Sequence, residues 1–149
     1  MEPMRALRDA ISEVLETMCF MCPVPVKAPA MDLDPAEDWA VVELDFGGKD
    51  AGSLRIYFPW GLAVEMASAM RGQADTIAQA EETHDVLKEV TNMVAGSLLH
   101  RLDPEAKASL QLPRVVTGAQ PWDPARGLAM DLDGRMIVAQ LLWESEGDN

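Results

Sequence analysis

The stretch Thr83–Leu102, THDVLKEVTNMVAGSLLHRL, constrains this chain more than any other. At about 100° per residue it reads as one amphipathic helix, with Val86, Val90, Met93, Val94 and Ser97 on one side. Asp85, Glu89, Asn92 and Gly96 fall in a narrow stripe on the opposite side. Two acids and an amide thus line up in a row that ends at a residue with no side chain. Gly costs about 1 kcal/mol against Ala in a helix interior, and Asn is also a poor helix former. The row therefore lowers helix stability where Lys, Glu or Gln would not. It is either an ordinary polar face or a surface that receives another molecule.

An amphipathic helix needs a layer to pack against, and the rest of the chain supplies one. Met4–Met18 reads as a second such helix, apolar at Leu7, Ala10, Ile11, Val14 and Met18 and acidic at Asp9, Glu13 and Glu16. The prolines of CPVPVKAP cannot continue it. Asp32–Asp38 is an acidic loop. Val41–Phe46 alternates as a strand, with Val42, Leu44 and Phe46 on one face. Gly47, Gly48 and Gly52 make a turn, and Ser53–Phe58 is the antiparallel mate, with Leu54, Ile56 and Phe58 facing one way. Pro59 ends that strand. Gly61–Met70 is helical, and Gly72 stops it. Gln73–Glu82 is either a linker or an early turn of the central helix. Asp103-Pro104 marks the end of that helix. Ser109–Leu112 and Val115-Val116 read as strand, with Pro113 at an edge or bulge. Gly118–Gly127 is a loop with Trp122 in it. Leu128–Leu132, Asp133-Gly134 and Met136–Trp143 carry a hairpin signal, since Asp-Gly suits the tight turn that matches strand twist. The last residues, 144–149, are an acidic tail expected to fray.

The two halves share this order. Asp9, Glu13 and Glu16 have the spacing of Asp85, Glu89 and Asn92, and each helix precedes a strand, a glycine-containing turn and another strand. The expected fold class is α/β in the α+β sense: two long amphipathic helices on an antiparallel sheet, in pseudo-duplicated halves. At 149 residues a single domain, 1–149, is expected.

Charge narrows the function. The formal net charge of −13 opposes nucleic acid and anionic membranes, both of which select basic surfaces. No apolar run approaches the roughly 20 residues of a membrane span. The N-terminus MEPMRALRDA carries charge where a signal peptide has its apolar stretch, so a cytoplasmic location is expected. Cys19 and Cys22 form a lone CxxC. It is read as buried, inert thiols at a helix end, with a redox pair or half a zinc site as alternatives.

Asn92 does not titrate, so it is no general base. Its amide both donates and accepts, and can hold a water in one orientation. That is what an amide contributes in phosphoryl hydrolysis. Glu89, one turn earlier, offers a charge to grip a cation. Asp85 extends that grip or favours the helix dipole. Gly96 permits close backbone approach.

Asp85-x-x-x-Glu89-x-x-Asn92, continuing as Asn92-Met93-Val94-Ala95-Gly96, resembles the signature of the CheC, CheX and FliY chemotaxis phosphatases. Leu112-Pro113-Arg114-Val115-Val116-Thr117-Gly118 and the opening helix around Glu13-Val14-Leu15-Glu16-Thr17-Met18 resemble CheX-like chains as well. The first helix has Glu16 where the second has Asn92, so one intact site points to CheX rather than CheC. The resemblance implies hydrolysis of the aspartyl phosphate of a CheY-type response regulator, with Asn92 orienting the water and Glu89 pairing with a partner lysine. It implies a CheC/CheX-like fold and a homodimer. It also implies no cofactor or metal of its own, Mg²⁺ coming with the phosphorylated partner. The rival is a non-catalytic adaptor that docks on a receiver domain or a flagellar-switch component.

Overall fold

The computed structural model describes residues 2–29, 38–48, 50–72, 80–105, 109–117 and 121–145. Helix α1, Pro3–Met18, starts at Glu2, whose carboxylate accepts from Met4 N and Arg5 N at 2.9 Å each. Its buried residues are Ala6, Leu7, Ala10, Ile11, Val14 and Leu15. Met18, expected on the apolar side, is exposed, because the helix ends there beyond the edge of the core. A short strand β1, Val24–Val26, follows within the proline-rich segment. Strands β2, Trp39–Gly47, and β3, Asp50–Pro59, pair antiparallel from Trp39↔Pro59 to Phe46↔Gly52. Gly52 thus lies in the strand rather than in the turn.

Helix α2, Trp60–Arg71, closes at Gly72 with φ 67. Arg135 reaches Glu65 on this helix at 2.6 Å, and that hydrogen bond holds the Glu65 carboxyl below its usual range. Helix α3, Ala80–Leu102, takes in Ala80–Glu82 as its first turn; residues 73–79 lie outside the described residues. Strands β4, Ser109–Leu110, and β5, Arg114–Val116, both pair with β2 on the edge away from β3. Leu110 stands opposite Phe46 and Arg114 opposite Glu43, so one extra residue is accommodated around Pro113. The hairpin β6, Gly127–Leu132, and β7, Arg135–Ser145, turns at Asp133 and Gly134 with φ 53 and 85, the two-residue turn that Asp-Gly predicts. Glu144 and Ser145 pair with β3, so the tail expected to fray begins inside β7.

Every ladder is antiparallel, and the order across the sheet is β1-β6-β7-β3-β2-β4, with β5 also beside β2. Reading each helix with its following strands as one half gives the same order from either end. β7 and β3 meet at the centre, and each half lends its first strand to the other half's hairpin. The pseudo-duplication read from acid spacing is thus present in the topology. α2 breaks the symmetry.

The helices cover one sheet face. Val42, Leu44, Phe46, Leu54, Ile56, Phe58, Met130, Ile137, Ala139 and Leu141 point toward them and are buried. The opposite face carries a smaller apolar group of Val41, Tyr57, Ala129 and Val138, flanked by Trp39 and Trp122. Beside it Glu43 sits between Arg55, at 2.7 Å, and Arg114, and Arg114 also reaches Asp45 at 3.3 Å. The Tyr57 hydroxyl and Arg55 both donate to the Pro121 carbonyl at 3.0 Å. Pro121 is thereby tied to the back of the sheet.

A Cβ at Gly52 would lie 2.0 Å from the Leu142 carbonyl oxygen and 2.7 Å from Phe46 Cζ. Gly52→Ala must therefore push β3 from β7 at the centre of the sheet. Urea unfolding is expected to show a loss of roughly 2 kcal/mol or more.

Candidate functional site

Helix α3 is buried at Thr83, Val86, Leu87, Val90, Thr91, Val94, Ala95, Leu98 and Leu99. This arc is wider than the expected apolar side, because α3 packs on the sheet and also against both other helices. Thr91 is tolerated inside it because its hydroxyl donates to the Leu87 carbonyl at 2.8 Å. On the α2 side the ring of His84 meets Trp60 edge-on, with centroids 5.4 Å apart. On the α1 side Ser97 Oγ lies 3.3 Å from Glu13 Oε2, and Arg101 forms an ion pair with the same carboxylate. Ser97, expected on the apolar side, is half-buried and spans this helix pair.

What remains free is the predicted row. Asp85, Glu89 and Asn92 are exposed, and Gly96 is half-buried. Lys88 approaches Asp85 at 3.8 Å, a loose surface pair between side chains 39% and 67% exposed. Glu89 and Asn92 make no hydrogen bond or ion pair among the described residues. A Cβ built on Gly96 meets nothing within 4 Å, so no contact among the described residues requires glycine there. The row is an acid, an acid and an amide followed by a notch at Gly96 that no side chain among the described residues fills. His100, exposed four residues beyond Gly96, continues the same stripe. It was not among the predicted residues, and the i, i+4 spacing from Gly96 is the signal that places it there.

The matching row on α1 is not free. Glu13, at the position of Glu89, is held by Arg101 and Ser97. Asp9 sits beside Arg8 at 3.4 Å. Only Glu16, at the position of Asn92, has no partner among the described residues.

The cysteines separate. Cys19 is buried, and burial pushes its thiol up to about 11. Cys22 is exposed, against the expectation that both are buried: it lies just beyond the turn at Phe20, and Pro23 after it is the residue that faces inward. No group of three or more His, Cys, Asp or Glu among the described residues is arranged to hold a metal. No described helix is long and apolar enough to cross a membrane.

The model of a family described as chemotaxis phosphatase CheX matches residues 40–122. The chemotaxis protein CheX from Vibrio vulnificus is similar at 23% identity and a TM-score of 0.76, over 97% of this chain and 97% of that one. CheX from Desulfovibrio desulfuricans matches at 20% identity and a TM-score of 0.75, over 97% and 100%. A chain of the CheX–CheY–BeF3–Mg²⁺ complex from Borrelia burgdorferi matches at 19% identity and a TM-score of 0.68, over 97% and 99%. At these identities the likeness is one of fold. None of the curated proteins matches the chain.

Because the space above Gly96 is open, Gly96→Ala is expected to stabilise the isolated protein by up to about 1 kcal/mol, read from the thermal midpoint. An alkylating reagent at pH 8 is expected to modify Cys22 quickly and Cys19 only on unfolding. Cys19 has a folded value above its unfolded one. The stability from its neutral thiol is therefore complete below pH 9.0 and falls as pH climbs toward about 11.

Proposed function

The chain belongs to the chemotaxis phosphatase CheX family, and from that premise we propose that it hydrolyses the aspartyl phosphate of a CheY-type response regulator. The observation that carries the reading is the pair Glu89 and Asn92: exposed, without a partner among the described residues, one turn apart, and followed by open space at Gly96. A group built to work inside its own pocket would be buried and held. These two project outward, which suits a centre completed in another molecule. The solved complex of a CheX with CheY, BeF3 and Mg²⁺ supports a CheY-type partner.

In this reading Asn92 enters the partner's phosphorylated site. Its carbonyl accepts from a water and its NH₂ donates to a neighbouring oxygen, which fixes the water in line with the phosphorus. Glu89 pairs with a partner lysine and Asp85 extends that attraction. Gly96 lets the partner's backbone come close to α3. Mg²⁺ arrives with the partner, and this chain brings neither metal nor cofactor. The protein acts in the cytoplasm as a homodimer.

The test uses a purified phosphorylated receiver and follows loss of its label. Asn92→Ala is expected to cut stimulated dephosphorylation by about 10²-fold or more with binding little changed, because an orienting amide acts mainly in the transition state. Glu89→Ala is expected to weaken binding as well, by about tenfold. Gly96→Ala, although stabilising, is expected to weaken docking. Full activity in the Asn92 variant removes the catalytic assignment. Native protein that binds the receiver without speeding decay is an adaptor.

A further inference from the structure

Helix α1 stops early, and the place where it stops lies beside the free row. The two long helices run antiparallel. α1 leads into Val24 opposite Asp131, close to the β6–β7 turn, and α3 leads into Ser109 opposite Gly47, close to the β2–β3 turn. Those turns precede Asp50 of β3 and Arg135 of β7, and the two strands pair antiparallel, so the turns lie at opposite ends of the sheet. Glu13 fixes the register of the helix pair, for its carboxylate meets Ser97 and Arg101. Seven residues beyond Glu13 stands Phe20. Seven residues back from Ser97 and Arg101 stand Val90 and Val94, so Phe20 is level with Asn92.

The flank of α3 that faces α1 shows the same stop. Ser97, Met93 and Glu89 follow one another along it at i, i+4 spacing. Ser97 and Met93 are half-buried and Glu89 is exposed, because α1 ends at Met18 and does not reach it. α3 by contrast continues to Leu102, and Arg101 in its last turn occupies the acid at the matching position of α1. The early stop leaves Glu89 free where Glu13 is held.

Phe20 makes the stop. Its φ of 57 is the left-handed conformation that closes many helices and that Gly adopts most readily. Cys19 N and Met21 N both donate to the Leu15 carbonyl, at 3.1 and 3.0 Å, and fix the bend. The ring is 82% exposed, and Met18 before it is exposed too. Glycine would take this backbone state more readily and would put no ring into water. Phenylalanine here points to contact with another molecule. The flank narrows the choice. From Thr17 to Met31 the sequence has no carboxylate, in a chain whose net charge is −13. A partner with a phosphorylated aspartate brings negative charge to the Asn92 side of the row, and this flank offers it apolar surface without repulsion.

We propose that Phe20, with Met18, is a specificity-determining contact for the phosphorylated receiver. It is an apolar anchor that meets the receiver's surface next to the aspartyl phosphate while Asn92 enters the site. The proposal rests on the receiver partner of the preceding reading. Phe20 touches no reacting atom, so it acts on docking and not on the chemical step.

Two measurements on the full chain test it: turnover of a CheY-type receiver phosphorylated with acetyl phosphate, and binding of the same receiver loaded with BeF3 and Mg²⁺. Phe20→Ala is expected to raise KM and weaken binding by about tenfold, with kcat changed by less than about twofold. Phe20→Trp, which keeps an aromatic anchor, is expected to stay within about threefold of the native protein. Phe20→Gly is expected to weaken docking as Phe20→Ala does and yet to raise the thermal midpoint. Unchanged KM and binding in Phe20→Ala, or a fall confined to kcat, overturns the proposal. So does a lowered midpoint in Phe20→Gly, which makes the ring a structural element. So does weakened docking that sedimentation shows to accompany a change in oligomeric state. A native chain that binds no loaded receiver overturns both readings. One that binds without hydrolysing overturns the chemistry alone, and Phe20→Ala still reads the contact.

Discussion

The burial of α3 sets everything on the helical side of this molecule. Val86, Leu87, Val90, Val94, Leu98 and Leu99 all lose water, and full burial of such side chains contributes about 1.5–3 kcal/mol each. A 23-residue helix held this way owes little to its own propensity. It can carry an asparagine and a glycine on the outside without coming apart. Flanked by α1 and α2, it has one stripe left facing water, and the stripe holds Glu89 and Asn92. The core thus fixes which side chains can meet another protein.

The palindromic sheet gives the fold two related helix faces, only one of which is available. Arg101 reaches from the end of α3 to Glu13, so the acid that corresponds to Glu89 is neutralised from within. Glu16 stands where α3 has the amide of Asn92. One helix therefore keeps a free polar row while its counterpart helps hold the pair together. The fold has two equivalent helix positions, and the side chains leave one of them free.

Much of this was legible in the sequence because it depends on local periodicity. The alternation of Val42, Leu44 and Phe46, the Asp-Gly turn and the 85-89-92-96 row each follow from neighbours in the chain. The features that escaped depend on distant partners. Ser97 reads as apolar-side by angle alone, and only the approach of Glu13 shows what it does. β1 was missed because Val-Pro-Val argues against a strand. Proline is tolerated there since β1 lies at the edge of the sheet and, among the described residues, pairs with β6 alone. Cys22 escaped because nothing in CxxC tells which way the chain turns after a helix, and the turn rests on a phenylalanine in a glycine-like conformation.

The contact between Trp60 and His84 has a practical side. The indole belongs to α2 and the imidazole to α3, next in sequence to Asp85 at the start of the acidic row. The emission of an indole responds to the groups packed against its ring, so a tilt between these helices that alters this contact alters the light that Trp60 emits. The protein therefore holds a native optical gauge beside its candidate docking face, readable without attaching a dye.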